Sequence, residues 1–201
     1  MDKITVDTYN RLAGEYDKET QDFWKQFPST FFDRFAQLAQ GNALDVGSGP
    51  GRDALLLQER GLRVICLDAS QKMVEMCQRK GLKAMLGDFE KLPFEDGAFD
   101  AVWAYTSLLH IPKSNMPGAI EEIRRVLKEN GILGLGMIEG ETEEYRKSAG
   151  VDKPRLFSYY TREEIEDLLD RHGFSVEYFE QFSPKTKNYL NFIAKKTTRS
   201  S

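Results

Sequence analysis

The stretch that decides the fold runs Ala43-Leu44-Asp45-Val46-Gly47-Ser48-Gly49-Pro50-Gly51-Arg52-Asp53. Its first four residues predict a short apolar strand, and residues 53–60 predict a helix that Gly61 ends. Glycines between a strand and a helix allow backbone angles that other residues avoid, and they let a ligand approach the main chain closely. This arrangement is typical of a nucleotide-type binding site.

The glycine spacing distinguishes between possible ligands. A dinucleotide site needs Gly-x-Gly-x-x-Gly, but here the glycines alternate and Arg52 stands where the third dinucleotide glycine would be. The Walker A spacing is also absent. Asp68 ends the next predicted strand, about 20 residues after Gly47, which is the interval at which an acid meets ribose hydroxyls. An aspartate at a strand end is often a cap or turn residue, but together with the glycine turn it predicts ribose binding.

Strand and helix patterns alternate on both sides of this turn. The further predicted strands cover residues 63–68, 82–86, 99–104, 131–138, 174–182 and 189–194. The further predicted helices cover residues 71–80, which Ser70 caps, 117–128, and a segment ending at Arg171 that begins with the capping-box pair Thr161 and Glu164. Strands separated by helices predict an open, mostly parallel α/β sheet with helices on both faces. The last two strands have no helix between them and should be antiparallel.

Two segments outside the sheet are expected to cover its ligand-binding edge. Residues 6–16 and 21–40 have helical patterns, and Pro28 should break or begin a helix within the second. Residues 139–160 are long for a connection and form a candidate substrate wall. We therefore expect one domain over 1–201, divided as follows: an N-terminal helical lid at 1–40, a cofactor-binding half at 41–138, the insertion at 139–160, and a C-terminal helix and strand pair at 161–201.

The overall composition excludes several classes of protein. The 201 residues are 40% hydrophobic and 30% charged, with a net charge of −4, as expected for a globular chain. No apolar run is long enough to span a membrane, and the start has no signal-peptide pattern. Two cysteines without such a signal predict reduced thiols and a cytoplasmic location. The acidic balance disfavours a nucleic-acid partner, and the basic segment 195–199 is expected to be a solvated tail.

Four motifs, in order along residues 40–195, resemble those of class I S-adenosylmethionine-dependent methyltransferases. They are residues 43–53, Leu67-Asp68-Ala69-Ser70-Gln71-Lys72-Met73, Gly87-Asp88-Phe89-Glu90-Lys91-Leu92-Pro93-Phe94, and Phe99-Asp100-Ala101-Val102-Trp103 with Ser107-Leu108-Leu109-His110-Ile111. The resemblance implies a Rossmann-like, seven-stranded, mostly parallel sheet whose last strand is antiparallel. It also implies S-adenosyl-L-methionine as methyl donor and S-adenosyl-L-homocysteine as product.

The resemblance further implies roles for individual residues. Cofactor contacts are implied for the turn residues Asp45, Gly47, Ser48, Gly49 and Gly51 at the methionine end, for Asp68 at the ribose, for Ala69, Met73, Asp88 and the Phe89 backbone at the adenine, and for Tyr105 near the methyl group. The lid and substrate candidates are Tyr9, Tyr16, Thr106, Arg155, Tyr159 and Tyr160. Met73 is equally compatible with a core position, and Tyr9 and Tyr16 with simple packing.

The chemistry needs few catalytic groups. A sulfonium methyl is a strong electrophile, so the protein mainly positions the nucleophile and excludes water. The two histidines have no metal-ligand spacing, and no metal is expected. His172 ends a predicted helix and has a structural explanation. His110 follows the fourth motif's strand and is the catalytic candidate. It could act as a base, as a substrate hydrogen-bond donor or as part of a packed turn.

The leading hypothesis is methyl transfer to a small-molecule acceptor. The segment after the fourth predicted strand lacks the Asn/Asp-Pro-Pro-Tyr motif of enzymes that methylate nucleobase amines, so that substrate class loses support. A catalytically silent, cofactor-binding or regulatory domain is the alternative. A nicotinamide-dependent oxidoreductase is disfavoured by Arg52. The sequence leaves the acceptor and the oligomeric state open.

Overall fold

A seven-stranded sheet organises the chain in the computed structural model, which describes residues 2–148, 151–184 and 186–198. Residues 149 and 150 of the predicted insertion and Arg199 of the basic tail lie outside the described residues. The strands are β1 Asn42–Val46, β2 Arg63–Asp68, β3 Lys83–Leu86, β4 Phe99–Tyr105, β5 Leu127–Ile138, β6 Glu143–Ser148, β7 Val151–Ser158, β8 Phe174–Phe182 and β9 Tyr189–Lys196. The helices are α1 Lys3–Thr20, α2 Thr30–Leu38, α3 Arg52–Glu59, α4 Gln71–Arg79, α5 Met116–Val126 and α6 Arg162–Arg171.

The strand order of the large sheet is β3-β2-β1-β4-β5-β9-β8. The first five of these strands run parallel, and β9 pairs antiparallel with both β5 and β8. The predicted fold, including the antiparallel last strand, is therefore confirmed. The central strands are buried almost throughout because helices cover both faces of the sheet, which explains their nearly continuous apolar sequence.

Local sequence signals account for several helix boundaries. The Ser70 side chain accepts a hydrogen bond from the Met73 amide at the start of α4, and Thr161 and Glu164 form the predicted capping box of α6. The interruption expected at Pro28 is present. Residues 21–40 contain a 3-10 turn at Phe23–Gln26 and then α2, rather than one continuous helix.

The insertion between β5 and α6 is a β-hairpin. Strands β6 and β7 pair antiparallel, with Glu143 opposite Ser158 and Arg146 opposite Arg155. Helix α1 packs against β7, where the Leu156 amide donates to the Thr5 hydroxyl at 2.9 Å and the Thr8 hydroxyl donates to the Pro154 carbonyl at 2.9 Å. We call α1 together with the β6–β7 hairpin the cap.

The cap covers the edge at which the parallel strands end. In an open α/β sheet, ligands bind outside the carboxyl ends of the strands. Because β9 runs antiparallel, its first residue Tyr189 pairs with Ile138 at the end of β5, so the β8–β9 connection also lies at this edge. No helix in the described part of the chain is both long and apolar enough to cross a membrane.

Candidate functional site

The glycine turn is fixed to the second strand by its own backbone. The amides of Gly47 and Ser48 both donate to the Leu67 carbonyl, at 2.7 and 3.1 Å. Gly47 has a φ of +71°, and a Cβ added there would lie 2.4 Å from the Ser107 Cβ atom. Both the left-handed backbone and the close approach of Ser107 therefore require glycine at this position.

Asp68 links the glycine turn to the start of α4. Its Oδ2 atom accepts from the Gly49 amide and its Oδ1 atom from the Ser70 amide, both at 2.8 Å. Burial raises the pKa of the Asp68 carboxyl to about 6, although the amides of Ser70 and Gly49 favour the charged form. The carboxylate is thus held at the pocket wall with lone pairs left for a ligand.

Asp45 lies beneath the turn at the end of β1 and is only 2% exposed. Burial, reinforced by the nearby Asp53, raises the pKa of its carboxyl well above the usual range. Its Oδ2 atom has no hydrogen-bond partner among the described residues, and the same is true of the Tyr105 hydroxyl and the Ser107 hydroxyl. Buried polar atoms are nearly always paired, so these three positions fit a ligand that brings polar groups of its own.

These residues enclose a cavity that we call the inner pocket, with an empty volume of about 610 Å³. The inner pocket is lined by Tyr9, Tyr16, Asp45, Gly47, Ser48, Gly49, Pro50, Arg52, Asp53, Asp68, Met73, Phe89, Tyr105, Thr106, Ser107 and His110. The structure therefore brings together most of the residues predicted from the turn, the second motif and the lid.

Three predicted cofactor residues lie outside this lining: Gly51, Ala69 and Asp88. Gly51 has a packing explanation, because a Cβ there would lie 2.4 Å from the Leu82 side chain. The Asp88 Oδ1 atom accepts the Glu90 amide at 3.0 Å and so shapes its own turn. The adenine roles of Ala69 and Asp88 stay predictions.

A chain of hydrogen bonds joins the cap to the catalytic candidate His110. The His110 Nδ1 atom lies 2.6 Å from the Leu156 carbonyl oxygen, which can only accept, so Nδ1 carries the proton. In the neutral ring Nε2 is then the acceptor, and the Tyr9 hydroxyl donates to it at 2.8 Å. Arg155 donates in turn to the Tyr9 hydroxyl oxygen from Nη1 at 2.8 Å. Burial and the Arg155 charge lower the pKa of His110 to about 3, which keeps the imidazole neutral near pH 7.

A second cavity, which we call the outer cleft, has an empty volume of about 1080 Å³ and adjoins the inner pocket. The two cavities share Tyr9, Tyr16, Arg52, Thr106 and His110. The outer cleft is lined in addition by Glu19, Thr20, Phe23, Leu109, Ile138, Arg155, Phe157, Lys187 and Tyr189. Of the predicted substrate residues, Thr106 therefore lies where the two cavities meet, and Arg155 lines the outer cleft alone.

Two predicted substrate residues, Tyr159 and Tyr160, line neither cavity. The Tyr159 hydroxyl accepts from Arg146 at 2.9 Å, and the Lys113 ammonium lies 4.6 Å from the centre of the Tyr160 ring. Both side chains are buried. Their direct role toward a substrate stays a prediction.

Thr106, which follows β4, has a φ of +53°. A β-branched residue rarely adopts this left-handed conformation, and the strain is of the order of 1–3 kcal/mol. The Thr106 amide donates to the Gly136 carbonyl at 2.8 Å, which holds the strained residue at the end of the sheet. Strained backbone of this kind is concentrated at functional sites, here at the junction of the two cavities.

Asp53 is the most important residue that the sequence did not reveal. It accepts hydrogen bonds from the Trp24 indole at 2.7 Å, the Trp103 indole at 3.0 Å and the Arg52 side chain at 2.6 Å. Arg52 also lies over the Phe23 ring, 4.5 Å from its centre. One carboxylate therefore fastens the segment after α1 to both α3 and β4. An acid in the first turn of α3 was visible in the sequence, but its indole partners were not.

The described residues contain no group of three or more His, Cys, Asp or Glu side chains arranged to hold a metal ion. The polar groups that line the two cavities are hydroxyls, carboxylates, the His110 imidazole, cationic side chains and backbone groups.

Comparison with known proteins gives the class of protein. The family model described as a methyltransferase domain matches residues 44–135, which include the glycine turn, Asp68 and the strand before Thr106. An uncharacterized 37.1 kDa protein in a transposon of Streptomyces fradiae is 33% identical over 77% of this chain. The matched part of this chain spans only 45% of that relative's length.

Solved structures show the same fold. The DhpI–SAH complex superimposes with a TM-score of 0.78 and 21% identity, covering 98% of this chain and 97% of that one. A second similar structure is the 1,6-didemethyltoxoflavin-N1-methyltransferase of Burkholderia thailandensis, solved with 1,6-didemethyltoxoflavin and S-adenosylhomocysteine. It superimposes with a TM-score of 0.72 and 20% identity, covering 96% of this chain and 88% of that one. With the strand order, these findings show that the chain has the fold of class I S-adenosylmethionine-dependent methyltransferases and that its residues 44–135 match the methyltransferase-domain model.

Proposed function

We propose that this chain binds S-adenosylmethionine in the inner pocket and catalyses methyl transfer to a small molecule held in the outer cleft. The observation that carries the proposal is the set of unpartnered polar atoms around the glycine turn, Asp45 Oδ2 above all. A buried acceptor with a raised pKa fits the amino group of the methionine end, which would supply the missing hydrogen bonds and a compensating positive charge. Small-molecule methylation by the Burkholderia thailandensis protein supports the acceptor class.

Different residues would bind the different parts of the cofactor. Asp68 accepts the ribose hydroxyls while its two backbone bonds keep the turn in place. Met73 and Phe89, both buried at the pocket wall, pack on the adenine, and Ala69 and Asp88 complete that end. When bound, S-adenosylmethionine supplies an activated methyl group on a sulfonium.

The remaining task of the protein is to position the methyl group and the acceptor. Tyr9, Tyr16, Thr106 and His110 border both cavities and so surround the place where the methyl group and the acceptor would meet. The cap closes this place against water, which favours reaction of two oriented partners. We assign His110 a positioning role through Tyr9, because its pKa of about 3 makes it a poor proton acceptor near neutral pH.

The protonation state of His110 gives a direct test of that assignment. Its ring is expected to remain the neutral Nδ1–H tautomer from pH 8 down to pH 5, because burial and Arg155 oppose the charged form. The measurement is NMR of protein with ¹⁵N-labelled histidine, with Tyr9→Phe as the comparison that removes the hydroxyl donor to Nε2. An imidazolium at or above pH 5 would contradict the positioning role and restore His110 as a base.

Ligand binding tests the proposal as a whole. At about 100 times their dissociation constants, S-adenosylmethionine and S-adenosylhomocysteine should each raise the melting temperature by about 5–10 °C. NAD should leave the melting temperature unchanged, because the glycine turn lacks the dinucleotide spacing. Stabilisation by NAD alone would refute the proposal. Binding without transfer of a labelled methyl group to any small-metabolite fraction would favour the silent, regulatory alternative.

A further inference from the structure

Two groups of aromatic rings line the outer cleft. The first group comes from the cap and from the 3-10 turn after β4, and it consists of Tyr9, Tyr16, His110 and Phe157. The ring centre of Tyr9 lies 5.3 Å from that of Tyr16 and 5.4 Å from that of His110. The ring centres of His110 and Phe157 lie 4.9 Å apart. All three contacts are edge-to-face, so the rings hold one another in defined orientations. We call these four rings the cap wall.

The second group, which we call the base wall, consists of Phe23 in the 3-10 turn after α1 and Tyr189 at the start of β9. Their ring centres lie 5.9 Å apart at an interplanar angle of 74°, and both rings also contact Phe27, which does not line the cleft. Within the described residues, no ring of the base wall contacts a ring of the cap wall. Because both walls line one cavity without touching, the outer cleft is a space between two aromatic walls.

Two arginines that line the cleft extend the flat surfaces of these walls. Arg155 lies over two rings of the cap wall, 5.1 Å from the centre of Tyr9 and 5.2 Å from that of Phe157. Arg52 lies over the base wall, 4.5 Å from the centre of the Phe23 ring. A guanidinium is planar and stacks on aromatic faces, so it adds to the surface on which a flat molecule can lie.

The polar groups of the cap wall are used largely within the protein. The Tyr9 hydroxyl bonds to His110 Nε2 and to Arg155 Nη1, and the other ring nitrogen of His110 bonds to a backbone carbonyl. The other two charged lining residues, Glu19 and Lys187, are both exposed and opposite in charge. A ligand between the walls therefore gains mainly contacts with rings, and oriented ring contacts favour a flat aromatic molecule.

We propose that the methyl acceptor is a planar aromatic molecule that binds between the cap wall and the base wall. The inference rests on the proposed function, which places the acceptor in the outer cleft. Tyr9, Tyr16 and His110 of the cap wall also line the inner pocket, so a ring held between the walls has one edge toward the cofactor. An aliphatic acceptor of the same size would fill the cleft but would lack the oriented ring contacts.

The first test compares two matched probes. Protein saturated with S-adenosylhomocysteine is titrated calorimetrically with naphthol and, separately, with decahydronaphthol. The two probes have the same carbon skeleton and the same hydroxyl group, but only naphthol is planar and aromatic. Naphthol should bind about tenfold more tightly, as expected for one or two oriented ring contacts beyond the burial of area.

Variants assign this preference to the walls. Phe157→Leu and Tyr189→Leu each remove one ring, the first from the cap wall and the second from the base wall. Each should weaken naphthol binding about five- to tenfold and change decahydronaphthol binding by less than about twofold. Tyr189→Phe keeps the ring and should retain wild-type affinity. The matched control is Phe179→Leu, because Phe179 lies on β8 against Phe192, lines neither cavity and should be dispensable for both probes.

The outcomes separate the two proposals. If S-adenosylhomocysteine does not bind to wild type, the proposed function fails. If it binds, but naphthol does not bind or binds no more tightly than decahydronaphthol, the aromatic-acceptor inference fails alone. The same holds if a leucine variant that still binds S-adenosylhomocysteine retains wild-type affinity for naphthol. The melting temperature of each variant shows whether it is folded, and one variant in each wall keeps the test decisive if the other does not fold.

The second test uses transfer itself. A small-metabolite extract is incubated with the protein and methyl-labelled S-adenosylmethionine, and the labelled product is separated from the donor by chromatography. The labelled product should show the near-ultraviolet absorption of an aromatic ring. A labelled product without aromatic absorption would overturn the inference and leave the proposed function intact.

Discussion

Asp68→Ala is expected to weaken binding of S-adenosylhomocysteine by about 100-fold or more. The substitution removes the proposed ribose acceptor and also the two backbone bonds that hold Gly49 and Ser70. Hydrogen bonds to a charged group each contribute about 1.5–3 kcal/mol, so the loss of two such bonds to the ligand weakens binding by at least this factor. Isothermal titration calorimetry at pH 7.5 measures it, with the melting temperature of the unliganded variant recorded to show that the variant is folded.

The control for this substitution is Asp167→Ala. Asp167 pairs with Arg171 on the exposed face of α6, and its loss should leave the dissociation constant unchanged. The pH dependence adds a second check. The ionised form of Asp68 is the acceptor and its pKa is about 6, so wild-type affinity should fall as the pH is lowered through 6. An Asp68→Ala variant with wild-type affinity would remove Asp68 from the site.

Asp53→Ala is expected to have the largest effect on folding, a loss of about 3–5 kcal/mol in the free energy of unfolding. Asp53 is 5% exposed, and its removal leaves the indoles of Trp24 and Trp103 and the Arg52 guanidinium without their acceptor. Urea unfolding monitored by tryptophan fluorescence measures the change. The segment after α1 should also become accessible to protease in the variant, because it loses its attachment to α3.

The matched control is Asp33→Ala. Asp33 also pairs with an arginine, Arg60 at 2.8 Å, but on the protein surface. An exposed pair of this kind is worth less than about 1 kcal/mol. Equal losses for the two variants would show that the indole bonds to Asp53 add nothing to stability.

The sequence was most informative where structure depends on local pattern. The strand bounds of β2 and β8, the cap Ser70 and the capping box at Thr161 agree with the structure because each depends on residues within a few positions. The glycine turn was recognisable for the same reason, since its backbone angles and close contacts select the residue type.

The sequence was less informative where function depends on distant contacts. Asp53 meets Trp24 and Trp103 at separations of 29 and 50 residues, and Arg155 meets Tyr9 at a separation of 146. The hairpin in the insertion has no strong alternation of polar and apolar residues.

The way α1 is attached has a consequence for how ligands enter and leave. Its buried residues are only Thr5, Thr8 and Ala13, whereas α5 buries Met116, Ile120 and Ile123 among others. Helix α1 therefore stays in place mainly through hydrogen bonds, which contribute about 0.5–1.5 kcal/mol each, with little hydrophobic burial behind them. Its detachment is cheaper than unfolding of the sheet, so its amide hydrogens should exchange with solvent well before those of α5. Detachment of this one helix would open the inner pocket so that ligands can enter and leave, while the sheet that carries the glycine turn stays folded.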